Sequence, residues 1–427
     1  MGIAEWVAPR RLGRDFRWLF ASSLTSNIGD GIALAAAPLL IASMTDSPIL
    51  VASGAVMQFL PWLLFGLHAG AIADRVDRRI LIMVANGIRA LVLVGLCVFL
   101  VTGLASIWMV LIVAFLYGTA EVFVDTTSST LLPMMVRKSD LGIGNARLQA
   151  GFLVANQLGG PPLGAFLFAV GSFWPFAVQG LCVALAIVLI SRITATKRID
   201  PADGLADGPR ERTPVHTDIL SGIRWLWRNP PVRTLVIIIL TFNVTWAAPW
   251  GVLVLYATDY LRMGPVGYGA LTTASAIGGL AATLLFGRLE RRFSFAALMR
   301  VCLTAEVLMH LAFALTTSGA VAFVIMIAFG AYAFVWATIS TTVRQRLVPH
   351  ELQGRIASVN MVGVFGGLVI GQALGGVIAQ VWGPTGPWWF AFVGAALTLL
   401  LVWRPITHIA AAPPAVDDDE TEPVAAG

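Results

Sequence analysis

Four ionisable side chains lie inside long apolar stretches of the sequence, where a charge is costly unless it is paired or faces water. They are Asp30, Arg89, Glu121 and Asp125. Counting from the nearest helix ends at about 1.5 Å of rise per residue places Arg89 and Glu121 at similar depth, so these two can pair. Asp125 lies one turn nearer the surface, within reach of arginines in the neighbouring loops. Such residues indicate a pathway for protons, ions or a polar substrate.

The two deepest carboxyl groups are the candidates for binding and releasing protons. Burial favours the protonated form of a carboxyl group, which is the condition for a proton carrier near neutral pH. Asp30 has no permanent partner evident from the sequence, so it is the first candidate for a carrier or a substrate contact. For Glu121, a static ion pair with Arg89 is an equal alternative to a coupling role.

Other reactive groups do not form a recognisable catalytic or metal site. The five histidines are scattered, and the three cysteines lie singly in apolar segments. No glycine-rich phosphate loop is followed by a lysine. A membrane enzyme would need clustered Asp or His residues at one surface, and the sequence shows none. We therefore expect no enzyme activity, no metal, no cofactor and no use of ATP.

The elements that position these groups are membrane helices. The chain is 58% hydrophobic and only 12% charged, whereas a soluble domain carries about 25% charged residues. Its basic residues lie in short loops, so the net charge of +5 does not indicate nucleic-acid binding. A spanning helix needs about 20 largely apolar residues. Twelve stretches qualify, at roughly 17–43, 49–69, 80–102, 106–130, 145–169, 173–191, 232–257, 267–287, 295–316, 319–341, 356–380 and 387–404.

These stretches predict an all-α membrane protein built from two six-helix halves, residues 1–191 and 232–409. A polar linker, 192–231, separates the halves and ends in an amphipathic stretch, and an acidic tail, 410–427, is predicted to be disordered. Arginines and lysines cluster in alternate loops, so the positive-inside rule places both termini in the cytoplasm. The expected location is the bacterial cytoplasmic membrane.

The loop after the second apolar stretch carries a more specific pattern. It resembles the loop between helices 2 and 3 of the major facilitator superfamily, written G-x-x-x-D-R-x-x-R-R. The residues that fit are Gly70, Asp74, Arg75, Arg78 and Arg79. The resemblance implies that Asp74 caps a helix in the opposite half and that Arg78 pairs with Asp125. Together these contacts are expected to act as a latch that locks the outward-facing state.

The fifth apolar stretch resembles a second motif of the superfamily. Gly160, Pro161 and Gly164 fit the G-P-x-x-G run that exporters carry in helix 5, at the seam between the halves. Proline inside a helix removes a backbone hydrogen bond and bends it, so an ordinary packing kink is the alternative. The resemblance favours export over uptake.

Two other places bear on the proton carrier. The antiporters that the chain resembles often carry R-x-x-Q-G in helix 4, whereas residues 114–118 contain neither Arg nor Gln and place Tyr117 at the Gln position. Arg89, Glu121 and Asp30 are the available substitutes, so these three are the predicted proton-coupling residues. Helix 9 is usually peripheral in this fold, so we interpret Glu306 and His310, one turn apart, as a local pair.

The implied fold places the substrate pocket at mid-membrane, between helices 1, 4, 7, 10 and their neighbours. Aromatic rings with few fixed charges suit large, amphipathic and cationic ligands. An interfacial belt or core packing is the alternative for these rings. The predicted substrate-binding residues are Gln58, Trp62, Phe242, Asn243, Trp246, Tyr332, Trp336, Asn360 and Met361.

The whole pattern is most similar to the 12-helix drug:proton antiporter branch, which includes macrolide and tetracycline efflux pumps and siderophore exporters. The resemblance implies a monomer that exports amphipathic small molecules in exchange for protons by alternating access. The alternative is a dedicated exporter or flippase of a siderophore or lipid-like substrate. The expected partners are the substrate, protons and the lipid bilayer, with no nucleic acid.

Overall fold

The architecture is a bundle of α-helices, seen in a computed structural model that describes residues 10–73, 75–194, 224, 227, 228, 230–347 and 353–406. These residues contain no β-strand, which confirms the predicted all-α fold class. In chain order the helices are α1 (Gly13–Met44), α2 (Pro48–Ala73), α3 (Arg78–Thr102), α4 (Ile107–Met135), α5 (Leu141–Val170), α6 (Trp174–Ser191), α7 (Pro230–Trp250), α8 (Gly264–Arg292), α9 (Phe295–Leu315), α10 (Gly319–Leu347), α11 (Gln353–Trp382) and α12 (Gly386–Val402).

Most of these helices match the length of a membrane crossing. Within the described part of the chain, 10 are long and apolar enough to span a bilayer. The chain continues from α7 into Leu253–Tyr260 after a bend of 44°, and the two pieces make an eleventh span if they are counted together. The apolar α12 has 17 residues, which corresponds to about 26 Å against a hydrocarbon core of roughly 30 Å. The full count of twelve crossings stays a prediction.

Large apolar side chains cover the outside of the bundle. Leu91, Leu284 and Leu401 are 73%, 77% and 78% exposed. Such a surface is unfavourable in water and favourable in lipid, because burial of apolar area is what drives it out of water. The chain is therefore a multi-pass membrane protein.

Local signals in the sequence fix where α3 begins and ends. The side chain of Asp77 accepts hydrogen bonds from the backbone N–H groups of Arg79 at 2.9 Å and Ile80 at 3.3 Å, so it caps the first turn. Gly103 ends the helix in the left-handed conformation, with φ of 71°. The basic stretch after α2 is therefore confined to a short turn at the helix ends.

We refer to α1–α6 as the N-terminal half and α7–α12 as the C-terminal half. At the end away from the basic loops, buried residues of both halves form one cluster, in which Leu39 and Ile41 of α1 join Leu253 and Tyr256. Toward the basic loops, each half has its own buried cluster. The halves are therefore joined most tightly at the end away from the basic loops.

Two helix pairs form the seam between the halves. Between α2 and α11, the rings of Trp62 and Phe365 stack with centroids 5.1 Å apart. Between α5 and α8, Gly269 faces Ala165, and a Cβ added to the glycine would lie 2.4 Å from the alanine Cβ. Only glycine permits that approach of the two backbones.

Parts of the predicted organisation lie outside the described residues. These are Asp74, most of the linker 192–231 with its amphipathic stretch, and the acidic tail 410–427. The predicted domain boundaries and the cytoplasmic location of the termini stay predictions.

Candidate transport site

In the N-terminal half, Arg89 is completely buried, and its guanidinium group binds acceptors on α1, α3 and α4. One terminal nitrogen donates to Asp30 Oδ1 and to the Tyr117 hydroxyl oxygen. The other donates to Asn86 Oδ1 at 2.9 Å and to Ser26 Oγ at 3.2 Å. Tyr117 donates its own hydroxyl hydrogen to Asp30 Oδ1 at 2.6 Å. We call Asp30, Arg89 and Tyr117 the Arg89 cluster.

This geometry corrects the predicted pairing. Asp30, not Glu121, is the partner of Arg89, and the expectation that Asp30 has no permanent partner is wrong. Counting residues from helix ends gives depth along a helix but not the direction of a side chain around its axis. Glu121 forms no ion pair or hydrogen bond with any residue that the structure describes. Tyr117 was not predicted as a site residue, although its place in the helix-4 motif was a signal.

A cavity opens beside the Arg89 cluster, and we call it the Asp30 cavity. It encloses about 960 Å³, counting the space at its mouth. Its polar wall includes Asp30, Tyr117, Glu121 and the predicted substrate residue Gln58, and Trp250 reaches it from α7. Two carboxyl groups and one guanidinium therefore meet at the edge of this space.

The predicted charge link of the latch is absent from this arrangement. Arg78 Nη1 contacts Met134 Sδ at 2.7 Å, and Arg79 donates to the backbone carbonyl of Ser191. Asp125 is exposed and has no ion-pair partner within the described part of the chain. The prediction that Arg78 pairs with Asp125 is therefore wrong for this arrangement, because the arginine side chain instead reaches α4 at Met134. Its role in an outward-facing state stays a prediction.

The remaining latch residues lie in the same turn. A Cβ added to Gly70 would lie 3.9 Å from Thr126 Cγ2 of α4, so the glycine rests against that helix. Arg75 is exposed. Asp74, the predicted cap on the opposite half, lies outside the described residues. The latch function of these residues stays a prediction.

The helix-5 motif lies where α5 contacts both α1 and α8. A Cβ on Gly164 would lie 2.1 Å from the Ile32 carbonyl oxygen, and Gly160 lies equally close to the backbone of α1. The carbonyl oxygen of Pro161 faces Gly269 of α8, 2.9 Å from a Cβ added there. The motif thus touches the seam between the halves, as the resemblance implies, and its antiporter role stays a prediction.

A second cavity lies in the C-terminal half, and we call it the aromatic cavity. It encloses about 910 Å³, counting the space at its mouth. The Oδ1 atom of Asn360 is buried and has no hydrogen-bond partner among the described residues, so it is available to a ligand. The structure brings six of the nine predicted substrate residues to its wall, namely Phe242, Asn243, Trp246, Tyr332, Trp336 and Asn360.

Five aromatic rings lie on this wall, and one of them contacts the wall of the Asp30 cavity. Phe242 stacks on Trp336 with centroids 5.6 Å apart. Trp246, on the wall of the aromatic cavity, contacts Trp250, on the wall of the Asp30 cavity, with centroids 5.0 Å apart. The two tryptophans are therefore a partition between the cavities.

Two predicted substrate residues lie elsewhere. Trp62 stacks on Phe365, and Met361 packs against Gly66, so both fill the seam between α2 and α11. Neither lines the Asp30 cavity or the aromatic cavity. Close van der Waals packing between the two helices accounts for their place in the seam.

An acidic group, Glu306 of α9, also lies on the wall of the aromatic cavity. Glu306 and His310 form the predicted local pair, with Oε1 and Nε2 2.9 Å apart and both side chains fully buried. Tyr332 donates its hydroxyl hydrogen to Glu306 Oε2, and both residues line the cavity. The peripheral placement of this pair is wrong, because α9 packs its Glu306 face against α10. We call these three residues the Glu306 cluster.

A family model described as transmembrane secretion effector, a branch of the major facilitator superfamily, matches residues 5–425. The chain belongs to that family. It is an efflux transporter of small molecules and not an enzyme, as the sequence predicted.

Similar proteins agree with this membership. The chain is 28% identical over 384 residues to the multidrug efflux pump Tap of Mycolicibacterium fortuitum, covering 86% of this chain and 89% of that protein. It is 24% identical over 414 residues to the enterobactin exporter EntS of Shigella dysenteriae, covering 94% of each.

Solved structures agree on the fold. An inward-facing bacterial homologue of the iron transporter ferroportin superposes with a TM-score of 0.71 at 17% identity, over 93% of this chain and 99% of that one. The inward-open xylose transporter XylE from E. coli gives 0.67 at 13% identity, over 91% and 95%. These identities are low, so the structures support the major facilitator fold alone.

Proposed function

We propose that the protein exports amphipathic small molecules in exchange for protons by alternating access. The observation that carries this proposal is the Arg89 cluster beside an unpaired carboxyl group, Glu121, on the wall of one cavity. The similarity to a multidrug efflux pump and to an exporter supports the direction of transport.

The charges at the Asp30 cavity suggest a division of roles. Arg89 carries a permanent positive charge, and Asp30 compensates it at contact distance. Glu121 has no ion-pair partner in the described part of the chain, so its proton can exchange without breaking a permanent ion pair. We therefore assign the exchangeable proton to Glu121 and a charge-compensating role to Asp30.

Proton entry provides the energy for export. Each proton that moves inward contributes about 2.3 kcal/mol per 100 mV of membrane potential and about 1.4 kcal/mol per pH unit. In this scheme the halves rock about the seam of α2, α5, α8 and α11, and Glu121 is exposed to each side in turn. The aromatic cavity supplies the apolar wall for the substrate.

The test is proton movement into liposomes that contain the full-length protein and a trapped pH dye, with ethidium as the transported probe. Wild type is expected to show ethidium-dependent proton flux, and Glu121→Gln is expected to lose it. Glu290→Gln, an exposed site at the end of α8, is the matched control and retains the flux. Ethidium transport by wild type without proton flux contradicts proton coupling.

A dedicated exporter or flippase is the second candidate, favoured by the similarity to the enterobactin exporter over nearly the full length of both chains. A catecholate siderophore or a lipid probe then competes with ethidium at much lower concentration than other drugs do. Equal competition by several unrelated drugs contradicts this second candidate.

A further inference from the structure

We propose that the Glu306 cluster is a second proton-binding site, which exchanges its proton for a cationic substrate bound in the aromatic cavity. This inference rests on the proposed function, because it names the charge of the substrate and adds an exchange site in the other half. The Glu121 mechanism makes no use of these residues.

The first argument is the absence of a permanent charge. The groups that face Glu306 are Cys302 and His310 on its own helix and Tyr332 on α10. From α12, the Trp388 ring packs against the imidazole with centroids 5.9 Å apart. No Lys or Arg side chain in the described part of the chain forms an ion pair with Glu306. Protons alone therefore set the charge of this cluster.

The second argument is the charge balance of the buried pair. With one proton shared between Glu306 and His310, the pair is neutral, either as acid and imidazole or as carboxylate and imidazolium. Losing that proton leaves a net negative charge in a fully buried site, which is costly without a compensating cation. Within the described residues, His310 Nδ1 is buried without a partner, so the contact of Nε2 with Glu306 is the hydrogen bond that holds the ring. A cation bound in the aromatic cavity, which Glu306 lines, supplies that compensation.

The third argument is the connection to the cavity. Tyr332 is only half-buried, lines the aromatic cavity and donates to Glu306. In the acid form the carboxyl hydrogen is on Glu306 Oε1, against His310 Nε2, and Oε2 accepts from Tyr332. For the proton to leave, the Tyr332 hydroxyl turns its hydrogen toward water in the cavity, and the carboxyl group rotates to present its O–H to the Tyr332 oxygen. That Glu306 O–H bond then breaks, and the Tyr332 oxygen takes the proton. The hydrogen that Tyr332 held passes to a water molecule in the cavity. After the transfer, Tyr332 again has one hydrogen and donates it to the carboxylate.

The fourth argument is the chemistry of the wall. A cation above the rings of Phe242, Trp336 or Trp246 is attracted by their π faces. The same cation compensates the charge of ionised Glu306. Binding of the cation and binding of the proton therefore weaken each other. A neutral amphipath bound on the same rings supplies no charge and releases no proton.

Two measurements on the full-length protein in detergent test the inference. The first measures ethidium affinity by fluorescence anisotropy across a pH series, with neutral Nile red as the matched probe. Exchange of one proton weakens ethidium binding by about tenfold per unit of acidification. Glu306→Gln is expected to reduce the slope of log Kd against pH by about one, while Glu290→Gln and Nile red show no change. An unchanged slope in Glu306→Gln overturns the inference.

The second measurement needs no substrate and uses infrared difference spectra between acidic and alkaline protein. Glu306→Gln is expected to lose one carboxyl band that Glu121→Gln retains, and His310→Gln is expected to shift that band. If Glu306→Gln does not fold, a band shift in His310→Gln and Tyr332→Phe supports the site, and unchanged spectra in both overturn it. If Glu306→Gln keeps every carboxyl band of the wild type, this inference is refuted. The proposed function still stands in that case if Glu121→Gln loses the ethidium-dependent proton flux.

Discussion

The Arg89 cluster and the Glu306 cluster use the same parts with one decisive difference. Each joins a carboxyl group to a tyrosine hydroxyl and a nitrogen base, across helices that line a cavity. In the first the base is Arg89, which keeps its charge, and in the second it is His310, which does not. Because the charge of Arg89 is permanent, we interpret the first cluster as a structural ion pair. Because His310 can gain or lose a proton, the second cluster can bind and release one.

The largest expected difference between the clusters comes from neutralising each acid. Asp30→Asn leaves Arg89 buried without its compensating charge, at a cost of about 3–5 kcal/mol in the free energy of unfolding. Glu306→Gln leaves no charge behind and is expected to cost about 1–3 kcal/mol. Chemical denaturation in detergent, followed by tryptophan fluorescence, measures both. Equal losses in the two variants contradict the distinction between a fixed and an exchangeable base.

Removing each tyrosine hydroxyl is expected to give a smaller difference of the same sign. Tyr117→Phe deletes a hydrogen bond to a carboxylate in a permanent ion pair, worth about 1.5–3 kcal/mol. Tyr332→Phe deletes one to a carboxyl group that has no Lys or Arg ion-pair partner among the described residues, so about 0.5–1.5 kcal/mol is expected. The same denaturation experiment compares them. A greater loss of stability in Tyr332→Phe argues for a permanently ionised Glu306.

A third difference, in ligand affinity and not in stability, is expected from the partition between the cavities. Trp246→Ala removes one ring from the aromatic wall and is expected to weaken ethidium binding by about 1–2 kcal/mol, or roughly 5- to 30-fold in Kd. Trp62→Ala is the matched control, because that ring lies in the seam of α2 and α11 and not in a cavity. Fluorescence anisotropy measures both. Equal weakening in the two variants contradicts the placement of the substrate in the aromatic cavity.

The sequence predicted positions along helices well and directions around them poorly. Apolar length set the helix ranges, and the depth of Phe242, Trp246, Tyr332 and Trp336 was enough to bring them to one wall. The pairing of Arg89 depended on which way α1 and α4 turn, and weak amphipathicity leaves that rotation undetermined in a helix surrounded by apolar groups.

For Glu306 the sequence likewise predicted the spacing along the helix but not the direction in which the side chain faces. Its spacing from His310 predicted their contact, because residues four apart share one face of a helix. Its place on a cavity wall depends on the packing of α9 against α10, for which the sequence carries no local signal. Helix 9 is usually peripheral in this fold, which suggested that Glu306 lies away from the substrate pocket. Its place on the cavity wall is seen only in the assembled bundle.

The bend in α7 links the behaviour of the two cavities. Trp246, before the bend, faces the aromatic cavity, and Val254, after it, faces the Asp30 cavity. A change in the angle at this point alters the volume of both compartments in a single motion. We therefore expect a ligand in one cavity to affect the shape of the other through this single bend in the backbone.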